Sequence, residues 1–155
     1  MLALNERFTW EIRVEAAMET LIKKDEALAE RFAILLSIPG IAKLSAFAIL
    51  IDMPELGAIE AKQAAALAGL APITRQSGNW KGRARIRGGR ANLRQALYMP
   101  ALVATRFNED LKAKYQELIK VGKPAKVAIT AVMRKLLLLA NALLRDRRKW
   151  TPIIA

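Results

Sequence analysis

The sequence predicts an all-α fold: a long N-terminal helix, then a helix-hairpin-helix-like helical domain carrying one basic Gly/Arg-rich loop. Three observations predict it. Apolar residues recur at steps of three or four through most of the 155 residues. Glycine and proline punctuate those stretches, at Pro39-Gly40, Gly69 to Pro72 and Gly122 to Pro124. The segment 73–90 lacks helical periodicity and combines arginine with glycine, so it reads as a loop or short hairpin.

The elements follow in order. Over residues 4–36, Leu4, Phe8, Ile12, Glu15, Met18, Leu21/Ile22, Asp25, Leu28, Phe32 and Leu35 recur at steps of three or four with apolar residues dominant, and Glu11, Glu19, Lys23, Glu26 and Glu30 occupy the other face. One helix of that length serves as a coiled-coil arm or linker, or folds back on its own core; both readings stand. The run Leu35 to Leu50 reads as helix, tight Pro39-Gly40 turn, helix. A helix hairpin of this kind can offer backbone N–H groups to a phosphate where the second helix begins. Gly40, Ile41 and Lys43 are the candidate contacts, although Ala42 stands where many such motifs have a second glycine. The alternative is a plain hairpin packing the core. Pro39-Gly40 also divides the apolar stretch Phe32 to Met53 into halves too short to span about 30 Å of hydrocarbon.

Beyond a turn at Met53 to Gly57, a short helix is expected over Ile59 to Gly69. A helix resumes at Ala91, with a kink expected at Pro100. Asn108, followed by Glu109 and Asp110, has the chemistry of an N-cap for a helix to about Val121. A last helix is expected over Ala125 to Leu144; its apolar run Leu136 to Ala140 is too short for a membrane span, and a basic tail follows. There is no internal repeat.

Charge points toward function. The chain is +12 overall. Residues 1–60 hold six Lys/Arg against ten Asp/Glu, whereas residues 61–155 hold twenty against four. Residues 61–108 contain no acid at all, yet carry Lys62, Arg75, Lys81, Arg83, Arg85, Arg87, Arg90, Arg94 and Arg106. Such asymmetry suits a polyanion, and an arginine-led, glycine-rich segment favours nucleic acid over a membrane surface, because guanidinium pairs with phosphate oxygens bidentately. The bland alternative is a solvated basic face.

Cysteine and histidine are both absent. Disulfides, thiolate catalysis, common zinc sites and any Ser-His-Asp or Cys-His triad are therefore excluded. Cysteine-free composition with no secretory signal at the start fits the cytoplasm. Nucleophile candidates are few: Ser37, Ser45 and Ser77, with Tyr98 and Tyr115. Ser37 and Ser45 lie in the apolar hairpin. Ser77 sits between Arg75 and Gly78 and ahead of Lys81, Arg83, Arg85 and Arg87. A serine attacking a phosphodiester needs cations to stabilise the transition state. Otherwise Ser77 simply turns the loop or hydrogen-bonds a phosphate. Tyr98, a turn beyond Arg94, is the rival.

A set of motifs in fixed order adds to this reading: Leu36-x-x-Pro-Gly-Ile41, Ala65-x-x-Ala-Gly-Leu-Ala-Pro72, Arg75-x-Ser-Gly78, Gly82-x-x-x-Ile86, Gly89-x-x-x-Leu-Arg94, Ala96-Leu-Tyr-Met99, Gly122-Lys-Pro124 and Lys126-Val-Ala128. From about Phe32 to Arg148 the chain resembles the C-terminal domain of the bridge-RNA-guided insertion-sequence transposases, the group that includes the Piv-type DNA invertases. The resemblance implies a DNA-binding domain with Ser77 as nucleophile. The charge pattern and the hairpin supply the expected DNA contacts: Arg75, Gly78, Lys81, Arg83, Arg85, Arg87, Arg90 and Arg94 in the basic segment, and Gly40, Ile41 and Lys43 at the hairpin. The resemblance implies partners as well: DNA, a structured guide (bridge) RNA and further copies of the chain, with no membrane. In that family the serine works beside an N-terminal RuvC-like domain whose Asp-Glu-Asp-Asp set binds a divalent metal such as Mg.

The division expected on this basis is 1–31 as the N-terminal long helix, 32–148 as the transposase C-terminal DNA-binding domain and 149–155 as a tail. About thirty residues before Phe32 are too few for an α/β nuclease fold, so no RuvC-like domain is expected in this chain and no cofactor of its own. The expectation is a DNA-binding recombinase fragment that cannot complete recombination alone. Two alternatives are a non-catalytic nucleic-acid-binding module and an oligomerisation module.

Overall fold

The structure is a computed structural model that describes residues 4–74, 76–78, 80–82 and 84–152, with the backbone alone at 76, 77, 80 and 81. Its architecture is all-α: seven helices among the described residues, with four two-residue strands confined to the basic segment. Helix α1 spans Leu4–Lys23, α2 Glu26–Ser37, α3 Lys43–Asp52 and α4 Ala61–Leu67. The strands are β1 (Pro72–Ile73), β2 (Gln76–Ser77), β3 (Trp80–Lys81) and β4 (Arg85–Ile86). Helices α5 (Ala91–Phe107), α6 (Glu109–Lys120) and α7 (Ala125–Arg145) complete the chain.

The single helix expected over 4–36 is two helices. The break falls at Lys24 and Asp25, because the Asp25 carboxylate accepts a hydrogen bond from the Leu28 amide at 3.0 Å and starts α2 as its N-cap. Apolar spacing runs across the break almost in phase, so periodicity alone does not reveal it. Beyond the break, Phe32 of α2 stacks on Phe47 of α3 with ring centroids 5.0 Å apart. Only the C-terminal part of α1 packs: Ile22 is buried and Met18 lies against the core, while every residue from Leu4 to Arg13 is exposed.

The helix expected from Ile59 to Gly69 is confined to Ala61–Leu67, set by a capping box in which Glu60 and Gln63 each bond the other's backbone N–H. The Asn108 cap is present as expected. Its side chain accepts from the Leu111 amide at 3.3 Å, and its own N–H closes α5 on the Ala104 carbonyl. Helix α5 runs unbroken through the buried Pro100.

Helix α7 is the spine. Val132, Leu136, Leu137, Ala140 and Leu143 are buried against α5, α6 and α4. It is the one described helix long and apolar enough to cross a bilayer, so its apolar content extends beyond Leu136 to Ala140. More than half of that window is buried within the fold, which accounts for its composition as a core helix. Buried Asn141 ties α7 to the loop between α3 and α4, accepting from the Gly57 amide at 2.7 Å and donating to the Ile59 carbonyl at 3.0 Å. Arg31 reaches the same loop from α2, at the Pro54 and Leu56 carbonyls.

Candidate nucleic-acid interface

The basic segment is a nested hairpin projecting from the helical body. The outer rung pairs β1 with β4, Pro72 opposite Ile86 and Ile73 opposite Arg85. The inner rung pairs β2 with β3, Gln76 opposite Lys81 and Ser77 opposite Trp80. Two-residue rungs are short for independent stability, so the body must hold the arm at its root.

The root is a crossing of glycines. Gly69, at φ +69°, and Gly89, at φ +68°, pass so close that a Cβ on either would collide with the other strand's backbone. Arg94 staples the crossing from α5. One of its terminal guanidinium nitrogens donates to the Gly88 carbonyl and, at 3.2 Å, to that of Ala68. The Arg90 amide donates to the Leu67 carbonyl at 2.9 Å. Its guanidinium donates to the Asp52 carbonyl at 2.6 Å and pairs with Glu55 at 2.5 Å. That hydrogen bond holds the Glu55 carboxyl below, and the Arg90 guanidinium above, its usual range.

The predicted cations therefore fall into groups. Arg90 and Arg94 are engaged with their own chain. Arg85 and Arg87 are exposed, and their side chains make no hydrogen bond or ion pair with any described residue. Arg75 and Arg83 lie outside the described residues, as do the side chains of Ser77 and Lys81. The Ser77 backbone sits in β2, next to the tip. There Gly78 has φ +60° with nothing within 4 Å of the position its Cβ would take.

The helix hairpin is arranged differently. Gly40, at φ +103°, faces α5, where an added Cβ would lie 2.5 Å from the Pro100 carbonyl oxygen and 3.1 Å from the Ala104 amide. Ile41 is buried. Lys43 pairs with Glu19 of α1 at 2.6 Å, and that hydrogen bond raises the lysine pKa and lowers the glutamate's. Ser37 donates to the Ile34 carbonyl and accepts from the Trp150 amide at 2.8 Å, a structural use of its hydroxyl. Tyr98 is exposed on α5.

One feature escapes the sequence reading. A groove of about 720 Å³ opens between the outer rung and the α6–α7 pair. Arg85, Lys114, Lys126, Arg134 and Lys135 surround it, and no carboxylate lines it. Lys126, Thr130 and Arg134 lie at i, i+4 and i+8 of α7, a spacing that tracking cations along the last helix would have shown. No group of three or more Asp, Glu, His or Cys among the described residues is placed to hold a metal ion.

Residues 32–116 match the model of the transposase IS116/IS110/IS902 family. The pilin gene-inverting proteins of Moraxella bovis and Moraxella lacunata are each 34% identical to the chain over 132 residues. That alignment takes in 83% of this chain and 41% of each relative, so the chain spans about two-fifths of the length of the curated relatives it matches.

Proposed function

Since the chain belongs to the transposase IS116/IS110/IS902 family, we propose that it is the DNA-binding, serine-bearing part of a DNA recombinase, with residues 32–148 as the DNA-binding domain. The observation that carries this is the arm. It extends from the body within an acid-free segment, places the Ser77 backbone beside an open glycine turn, and leaves Arg85 and Arg87 without partners among the described residues. In the reaction, the Ser77 oxygen bonds to a backbone phosphorus as the bond from phosphorus to a sugar oxygen breaks. The hydroxyl proton ends, in net terms, on the departing sugar oxygen. Arg75, Lys81, Arg83, Arg85 and Arg87 stabilise the added charge, and Gly78 gives the backbone room to approach. Arg90 and Arg94 position the arm. Lys43 at the helix hairpin is a secondary phosphate contact.

The metal-binding carboxylates, the guide RNA and the second copy of the chain belong to the complete machinery in this reading. Exposed Leu4, Phe8, Trp10 and Ile12 on α1 favour contact with another copy. The test supplies the RuvC-like domain, Mg and guide RNA in trans and looks for a covalent protein–DNA adduct. The expected adduct maps to Ser77 and is lost in Ser77→Ala; an adduct that survives the substitution overturns the nucleophile.

A second reading is a nucleic-acid-binding module without chemistry of its own, in which the exposed Arg85 and Arg87 grip backbone phosphates. It predicts that Ser77→Ala leaves affinity unchanged while Arg85→Ala and Arg87→Ala weaken it.

A further inference from the structure

The groove beside the arm has two layers. Its floor is apolar, with Ile86 of β4, Val127 and Leu138 of α7 and Leu70 below the root. Its rim is cationic. The Lys114 side chain is occupied by Glu117 at 2.9 Å, whereas the side chains of Arg85, Lys126, Arg134 and Lys135 form no hydrogen bond or ion pair with a described residue. Ile86 is 40% exposed and Val127 49%, so the floor is open to solvent. Duplex DNA stacks its base faces inside and presents phosphate and sugar outward. It would meet the rim and leave these apolar side chains uncovered. An unpaired strand offers both chemistries at once, since its phosphates suit the rim and its bare base faces suit the floor.

We propose that this groove binds an unpaired nucleic-acid strand, separately from the duplex contacts of the arm tip. Its phosphates lie on Arg85, Lys126 and Arg134, and its bases lie on Ile86, Val127 and Leu138. The inference rests on the reading of the arm as a nucleic-acid interface, because Arg85 belongs to both surfaces. The chemistry is shared by an RNA segment and by a DNA strand displaced from a duplex.

The test measures fluorescence anisotropy of labelled dT12, rU12 and a mixed-sequence duplex with the 155-residue chain. Its variants are Lys126→Glu/Arg134→Glu, Val127→Asp and Arg87→Glu, each checked by thermal melting. Lys126 and Val127 are exposed, and Val127→Asp adds a charge without removing a cation. Binding of dT12 or rU12 should fall about tenfold or more in both groove variants, with duplex affinity changed by less than about threefold and a salt slope near −0.7 per phosphate. Tighter binding of rU12 identifies an RNA occupant; tighter binding of dT12 identifies a displaced DNA strand. The groove proposal is overturned if single-strand affinity is unchanged in the groove variants, or if duplex and single-strand affinity fall in parallel. It is also overturned if wild type binds neither oligonucleotide and the groove variants only dissolve self-association, which would mark a protein-binding surface. Arg87→Glu separates the two readings. Should it leave duplex affinity intact while the groove variants lose single-strand binding, the arm reading fails and the groove stands.

Discussion

The helix hairpin at residues 38–42 and the basic arm at 70–89 each place glycine at positive φ close to a cation, and by composition both could receive a phosphate. Gly40 is pressed against the Pro100 carbonyl of α5, where an added Cβ would collide. A Cβ added at Gly78 or Gly88 would meet nothing within 4 Å. The cations differ in the same sense: Lys43 is paired with Glu19, whereas Arg85 and Arg87 have no partner among the described residues. Glycine beside positive charge thus has two uses. It lets the chain touch itself, or it leaves room for something else, and only the atoms opposite distinguish them.

The sharpest way to break that comparison is Gly40→Ala. Strained backbone plus collision with a helix carbonyl should cost about 3 kcal/mol of folding stability, read by urea unfolding. Gly78→Ala should cost about 1 kcal/mol, because only its backbone conformation resists a side chain. Similar losses at both positions would erase the contrast.

Next in size is binding. Arg85→Glu with Arg87→Glu should weaken duplex affinity on the order of tenfold to a hundredfold and reduce the salt slope by about 0.9 for each phosphate no longer neutralised. Lys43→Gln should weaken it less than about threefold, its charge being already neutralised by Glu19. Equal effects would put the hairpin on the same footing as the arm.

A smaller effect is expected at the root. Arg94→Ala should lower stability by about 1–2 kcal/mol, because its two backbone carbonyl partners are left without a donor. It should loosen the arm, read as faster amide hydrogen exchange at 85–89 than in α7. The smallest effect is on pH dependence. Glu55 is held below its usual range, so the Glu55–Arg90 pair stabilises the fold above the ordinary carboxylate range and loses that contribution as pH falls through the lowered value. The acid limb of a stability profile should therefore be shallower in Glu55→Gln than in wild type.

What the sequence could reveal follows the range of each interaction. Helices are legible where their periodicity and caps are local, and Asn108 is identifiable from the two acids after it, Glu109 and Asp110. The break at Asp25 is not, since Ile22 and Leu28 continue the apolar stripe across it. Two-residue rungs have no period to detect, so the arm reads only as a loop or short hairpin. Arg90 and Arg94 look like Arg85 and Arg87 for a similar reason. The Asp52 carbonyl that engages Arg90 is 38 residues away in sequence. The groove combines the arm with α6 and α7, and no single window contains it.

The single narrow neck at Gly69 and Gly88–Gly89 has an evolutionary corollary. Insertions or deletions between Ile73 and Arg85 alter the reach of the arm while the helical body keeps its own buried packing. The neck thus makes hairpin length a separable trait, free to change on an unchanged chassis.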